Sequence, residues 1–151
     1  MRIVIQRVGH AKVDIDSKTV GQIGNGLLVL LGVTQEDTDE DAQWLVKKLL
    51  GLRIFSDDEG KMNLSVKDVN GGILIVSQFT LYANTKKGNR PSYIRSAHPD
   101  QAIPLYERFI ELVKFQFSGP VESGEFGGDM KVSLMNDGPV TIIIDSKQRE
   151  L

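Results

Sequence analysis

"NDGPVTIIID", residues 136–145, opens on turn formers and closes on a run that belongs inside a sheet. Asn136, Asp137 and Gly138 favour a turn, whereas Ile142, Ile143 and Ile144 read as a buried strand. Pro139 stands between them with no N–H to give to a ladder. Taken alone, a Gly-Pro pair in this place is strand punctuation. On its N-terminal side, "MKVSLM" (130–135) reads as a separate strand and "GPVESGEFGGD" (119–129) as a Gly-rich connection.

Further back, two-residue periodicity and tight turns dominate. "RIVIQRV" (2–8) is a strand, and "AKVDID" (11–16) is a second strand or its continuation past a bulge. "VGQI" (20–23) is short, and "LLVLLGV" (27–33) reads as buried on both faces. In 34–51 the period changes. Ala42, Leu45, Val46, Leu49 and Leu50 follow helical spacing, acids crowd the start and lysines the end, and Gly51 suits the position just past a helix. "LRIF" (52–55) is a strand, "MNLSVKDV" (62–69) a strand or loop, and "ILIVSQFTLY" (73–82) one long strand that leaves the core polar. A second helix covers 105–117, with Pro104 in its first turn. The pattern predicts an α+β domain of mostly antiparallel strands, in sandwich or barrel-like sheets, with two covering helices. One domain spans residues 1–146, and 147–151 is a polar tail expected to fray.

With 151 residues the chain can bury a sizeable core, and its 40% hydrophobic and 25% charged residues are ordinary for a soluble protein. The absence of cysteine excludes disulfides and thiolate chemistry. No stretch approaches the roughly 18 apolar residues of a membrane span, and "MRIVIQRV" has no signal-peptide pattern. A soluble cytoplasmic protein with no membrane partner is expected. A net charge of −2 argues against binding nucleic acid through bulk positive charge. Charge is unevenly placed, however: from Val69 to Pro99 there is no acid, while Lys86, Lys87, Arg90 and Arg95 fall in that window. This basic stretch is either a solvated loop or one that contacts phosphates.

Two histidines, His10 and His98, sit outside any metal-binding or triad spacing, so neither a metal nor a cofactor is called for. No phosphate-cradling glycine motif is present. What remains is the polar cluster Ser77, Gln78 and Thr80 in "SQFT", on a strand that is otherwise apolar. Alternation puts Ser77 and Phe79 on one face, Gln78 and Thr80 on the other. It is either a strand turning polar at its exit or the wall of a site. A site without a strong base must lean on backbone N–H donors or on a group that the substrate brings.

"SQFTLYA" (77–83) and "NDGPVT" (136–141) together resemble the two signature motifs of the D-aminoacyl-tRNA deacylases, and the likeness extends along nearly the whole chain. "GLLVLLGV", "GKMNLSVKDV", "KKGNRPSY" and "FGGDMKVSL" are similar to further family segments. The resemblance implies a cofactor-free homodimeric hydrolase of translation quality control. Its partner is tRNA, not DNA. It cleaves the ester joining a D-amino acid, or a mischarged glycine, to the tRNA 3′ end and rejects L-aminoacyl-tRNA. Carried over residue by residue, Gly138 and Pro139 form a chirality gate, joined by a cis bond, donated across the dimer and supported by Arg7. Backbone N–H groups of Phe79 and Thr80 hold the oxyanion, and Ser77 and Gln78 position the ribose and adenosine. Lys86, Lys87, Arg90 and Arg95 become contacts to the tRNA backbone. Whether the Thr80 hydroxyl or the substrate's 2′-hydroxyl assists catalysis stays open. The alternative is a non-catalytic module that binds aminoacyl-tRNA ends.

Overall fold

In the computed structural model, which describes residues 1–151, the main sheet is built around one fourteen-residue strand, β1 (Arg2–Ile15). One edge of β1 pairs antiparallel with β3 (Gly26–Gly32) along its first half and with β2 (Lys18–Ile23) along its second. The other edge carries β8 (Lys131–Asp145), also antiparallel. Beyond β3 the sheet turns parallel, adding β6 (Gly72–Ser77) and then β7 (Val121–Ser123). The sheet is therefore mixed. It also curls until its ends meet: a Cβ on Gly21 of β2 would stand 3.1 Å from the carbonyl oxygen of Ser123 in β7. A nearly closed barrel results.

Parallel pairs need crossovers, and here the helices supply them. α1 (Asp39–Gly51) and a small hairpin of β4 (Phe55–Ser56) and β5 (Met62–Leu64) link β3 to β6. α2 (Pro99–Gln116) lies between β6 and β7. β3 and β6 are consequently buried on both faces, which explains their unbroken apolar runs. Leu27, Val29, Ile73 and Ile75 pack under the helices with Leu45, Leu49, Phe109 and Val113. Leu28, Leu74 and Val76 fill the barrel with Val8, Ala11 and Val13. A bulge at Gly9 shifts the parity of β1, so Val8 and Ala11 both point inward.

Several boundaries differ from the sequence reading. The strand expected to run through 73–82 ends at Ser77, and Phe79–Tyr82 close a single 3-10 turn. The alternation of Ser77, Gln78, Phe79 and Thr80 across two faces is lost with it. The stretches expected as two strands, 130–135 and 139–145, form the single strand β8, because both pair with β1. "LRIF" shrinks to its last residue, paired in the β4–β5 hairpin. α2 starts six residues early, with Pro99 in its first turn and Pro104 inside. The missing Pro104 N–H leaves the carbonyl of Asp100 without its helical donor, and Asp100 is exposed to water. Gly51 ends inside α1 rather than past it.

The C-terminal residues are tied down. Ser146 donates its N–H to the Met1 carbonyl at 2.9 Å, Lys147 reaches Asp41 at 3.0 Å, and the Arg149 guanidinium lies 4.6 Å from the Trp44 ring. No helix is long and apolar enough to cross a membrane. Burial alone would push the Asp41 carboxyl up. Hydrogen bonds from the Ser146 hydroxyl, the Thr38 N–H and the Lys147 ammonium outweigh it and hold the group at about 2, below the ordinary 3.8. A carboxyl depressed on folding contributes stability that is complete above its unfolded pKa and lost as pH falls through the folded one. Urea melts of Asp41→Asn should therefore show a shallower loss of stability than wild type as pH drops from about 4 towards 2.

Candidate active site

β6 delivers Ser77 and Gln78 to its C-terminal end, where the Gln78 N–H is still held by the Leu31 carbonyl at 2.8 Å. The chain then turns sharply. Leu81 N–H returns to the Gln78 carbonyl at 3.2 Å and Ala83 N–H to the Thr80 carbonyl at 3.0 Å. The N–H groups of Phe79 and Thr80, at the start of this turn, donate to no protein acceptor. They are the orphan donors that any helical turn leaves at its beginning. The Gln78 side-chain amide donates to the Thr80 hydroxyl.

Beside the turn lies a cleft of about 330 Å³, walled by Ser77, Gln78 and Phe79 on one side and by Phe126, Gly127 and Met130 on the other. α2 holds the second wall. The Tyr106 hydroxyl donates to the carbonyls of Ile75 and Gly124, at 3.2 and 3.1 Å, and its ring packs 5.8 Å from Phe126. Burial pushes the Tyr106 phenol up to about 12, so it stays a neutral donor. The only ionisable lining residue is Asp129, which pairs with Lys131 at 3.1 Å. No histidine lines the cleft, and nowhere do three or more His, Cys, Asp or Glu side chains converge as a metal site. Thr80 contributes to the turn but does not line the cleft.

The Gly-Pro pair is not at the mouth of a strand but in the middle of one. Gln6 faces Thr141 and Val8 faces Asn136, so the four residues Asp137–Val140 oppose the single residue Arg7. They can only bulge out of the ladder. Asn136 closes the base, accepting the Val140 N–H at 2.8 Å and reaching Thr141 Oγ1 at 3.1 Å. Arg7 braces the bulge, donating Nε to the Asp137 carbonyl at 2.8 Å and Nη1 to the Ile54 carbonyl at 2.6 Å. The Gly138–Pro139 peptide is cis, and both residues are exposed in the single chain.

One chain does not bring the two motifs together. From Ser77 the register crosses β6, β3 and β1 to reach β8, and runs about four residues along. At ~4.8 Å per strand and ~3.3 Å per residue this separation is on the order of 15 Å or more. The basic residues lie on a third element. Lys86, Lys87 and Arg90 are exposed, free of any salt bridge, in a loop pinned at its base by Asn84 and Ser92. Arg95 is more constrained: its guanidinium lies 5.8 Å from the Tyr82 ring, and its carbonyl accepts from the Thr34 hydroxyl at 2.6 Å.

A family model described as D-Tyr-tRNA(Tyr) deacylase matches residues 4–145. The chain belongs to that family. An Akkermansia muciniphila protein named D-aminoacyl-tRNA deacylase is 59% identical over 150 residues, covering 99% of this chain and 100% of its own length. Two solved structures share the fold of the family. A c-Myc DNA unwinding element binding protein is 39% identical with a TM-score of 0.91, over 96% of this chain and 98% of that one. A probable eukaryotic D-amino acid tRNA deacylase is 23% identical with a TM-score of 0.81, over 95% and 98%.

For this deacylase family member, sequence reasoning missed the second wall of the cleft. Phe126, Gly127 and Met130 fall in the Gly-rich connection and at the start of the strand after it, and the one local signal there is an aromatic set among glycines. Gly138 adopts φ +148°, a conformation closed to most side chains, and a Cβ there would stand 2.7 Å from Val140 Cγ2 and 2.8 Å from its nitrogen. Gly138→Ala should cost more than about 1 kcal/mol in urea denaturation, because the backbone cannot relax without breaking the Asn136 and Arg7 contacts.

Proposed function

We propose that this protein hydrolyses the ester bond of D-aminoacyl-tRNA, releasing free D-amino acid and tRNA. The carrying observation is the turn at Phe79 and Thr80 beside the cleft, whose two N–H groups have no acceptor, while the only ionisable side chain lining the cleft, Asp129, is paired with Lys131. Such donors stabilise an oxygen that becomes negative during attack on an ester. One donor of this type is typically worth about 2.7–4 kcal/mol in the transition state. Ser77 and Gln78, on the cleft wall, position the terminal ribose and adenosine. The Thr80 hydroxyl already accepts the Gln78 amide and lies off the cleft lining, which favours the substrate's own 2′-hydroxyl as the group that helps activate water. Thr80→Val therefore retains most of its turnover. Loss of all turnover with tRNA affinity intact would make the hydroxyl the catalytic group instead.

Selectivity for handedness needs a rigid wall, and the Asp137–Val140 bulge supplies one. It is exposed and braced, and it stands too far from its own chain's cleft to act there. A homodimer resolves this, with Gly138 and Pro139 of each subunit entering the cleft of the other. Main-chain carbonyls then accept hydrogen bonds from the substrate's α-ammonium. With ammonium and ester both anchored, an L side chain would collide with the wall, a D side chain points away, and glycine passes. Glycyl-tRNA mischarged on a non-cognate tRNA is accordingly a second substrate.

Lys86, Lys87, Arg90 and Arg95 contact the tRNA phosphates, and the cytoplasm is the compartment where such a substrate arises. Duplex DNA is not the partner in this reading, since the chain's net charge is −2. Replacing Lys86 and Lys87 by alanine should weaken binding of every tRNA alike. The slope of log affinity on log salt should flatten by roughly 0.7–0.9 per lost contact. An unchanged slope returns the loop to plain solvent. Incubation with D-tyrosyl-tRNA and L-tyrosyl-tRNA should release amino acid from the first alone. Equal loss of both would remove the wall from the mechanism, and binding without loss of either would leave a module that only holds aminoacyl-tRNA ends.

A further inference from the structure

The Ser96 hydroxyl donates to the Phe79 carbonyl at 2.9 Å. That carbonyl and the Thr80 N–H belong to one planar peptide, in which C=O and N–H point in opposite directions. Whatever holds the carbonyl therefore aims the N–H. A hydrogen bond to the carbonyl oxygen also draws electron density from the nitrogen, making the N–H a stronger donor. From this geometry we infer that Ser96 is a positioning residue of the deacylase site, orienting and polarising the Thr80 N–H. The inference rests on the oxyanion role of that N–H proposed above.

Both partners of the bond are referenced to one strand. Leu31 of β3 accepts the Gln78 N–H at 2.8 Å, which fixes the entry to the turn. Two residues on, the Val33 carbonyl accepts the Ala97 N–H at 2.9 Å, and Thr34 forms a bridge to Ser96 itself. The Thr34 hydroxyl further holds the Arg95 carbonyl at 2.6 Å. Ser96 thus stands at the root of the basic loop, on backbone registered with the turn it serves. The neighbouring peptide has its own arrangement: the Gln78 carbonyl, coplanar with the Phe79 N–H, accepts from Leu81 within the turn. Both carbonyls accept within the 3-10 turn, but only the one coplanar with the Thr80 N–H has a side-chain donor as well. Gly32 lets the turn sit this close to β3, since a Cβ there would lie 3.1 Å from both the Gln78 carbonyl oxygen and Leu81 Cβ.

The test measures kcat and KM on D-tyrosyl-tRNA for the full-length protein, with amide NMR and paired analogue binding. Ser96→Ala should lower kcat by about three- to tenfold while KM moves by less than about twofold. Ser96→Thr, which keeps the hydroxyl, should restore kcat. The Thr80 amide 15N resonance should move in Ser96→Ala and return in Ser96→Thr, and an unmoved resonance would overturn the inference. Binding of a tetrahedral phosphonate analogue of D-tyrosyl-adenosine is compared with that of the planar amide analogue. Wild type should prefer the phosphonate, and Ser96→Ala should lose preference by the same factor as kcat. A wild-type preference kept in full by Ser96→Ala removes the role of Ser96 and leaves the oxyanion reading standing. No preference in wild type removes both together. A kcat loss that merely follows a lower melting temperature, unrescued by threonine, also counts against it.

Discussion

β1 is paired along both edges, and its ladder with β8 is in register on either side of Arg7. Four residues of β8 have one residue of β1 to oppose, so the surplus chain is forced outwards. Neither flank can slip to absorb it, because a one-residue shift would turn Ile142 and Ile144 away from the layer they pack against. The bulge is thereby a fixed projection. Asn136 across its base and Arg7 beneath it satisfy the backbone groups that leaving the ladder set free.

The same sheet makes the cleft. Burying β3 and β6 on both faces places the end of β6 against β3 with little freedom, and the chain must turn at once or run into solvent. A 3-10 turn that starts there leaves two N–H groups unsatisfied, one on Phe79 of the cleft wall and one on the next residue, Thr80. Around them, Arg2, itself paired with the buried Asp145, holds the Leu81 carbonyl at 2.9 Å and lies 4.9 Å from the Tyr82 ring. Burial, then the charges of Asp37 and Asp145, push the Tyr82 phenol well above its ordinary value, so the ring stays neutral beneath two guanidinium groups. Rigidity here comes from tethers beyond the turn's own hydrogen bonds: the Gln78 N–H on the Leu31 carbonyl, the Leu81 carbonyl on Arg2 and the Phe79 carbonyl on Ser96. A preorganised donor needs that, because its advantage over water lies in not having to reorient during reaction.

Fold class was legible in the sequence because periodicity is local. The helical stripe of α1 and the apolar runs of β3 and β6 declare their type within a few residues of themselves, and the structure follows them. Boundaries were less legible. "SQFTLY" has strand-like composition and ends as a turn, since β7 pairs with β6 only as far as Ile75 and no strand extends the sheet past Ser77. Pro104 reads as a helix start, yet α2 runs back to Pro99 because its first turns are exposed and water can replace the missing partner.

Family membership, the two motifs and the basic loop were determined by residue identity at fixed spacing along the chain. Tertiary structure decided which backbone groups have partners. That the Phe79 and Thr80 N–H groups are free, that Arg7 meets carbonyls 130 and 47 residues away, and that Phe126 forms the second wall are facts of non-local pairing. A hydrogen-bond donor carries no mark in sequence of whether an acceptor will reach it. Only the folded sheet, by spending its acceptors elsewhere, leaves those two N–H groups free.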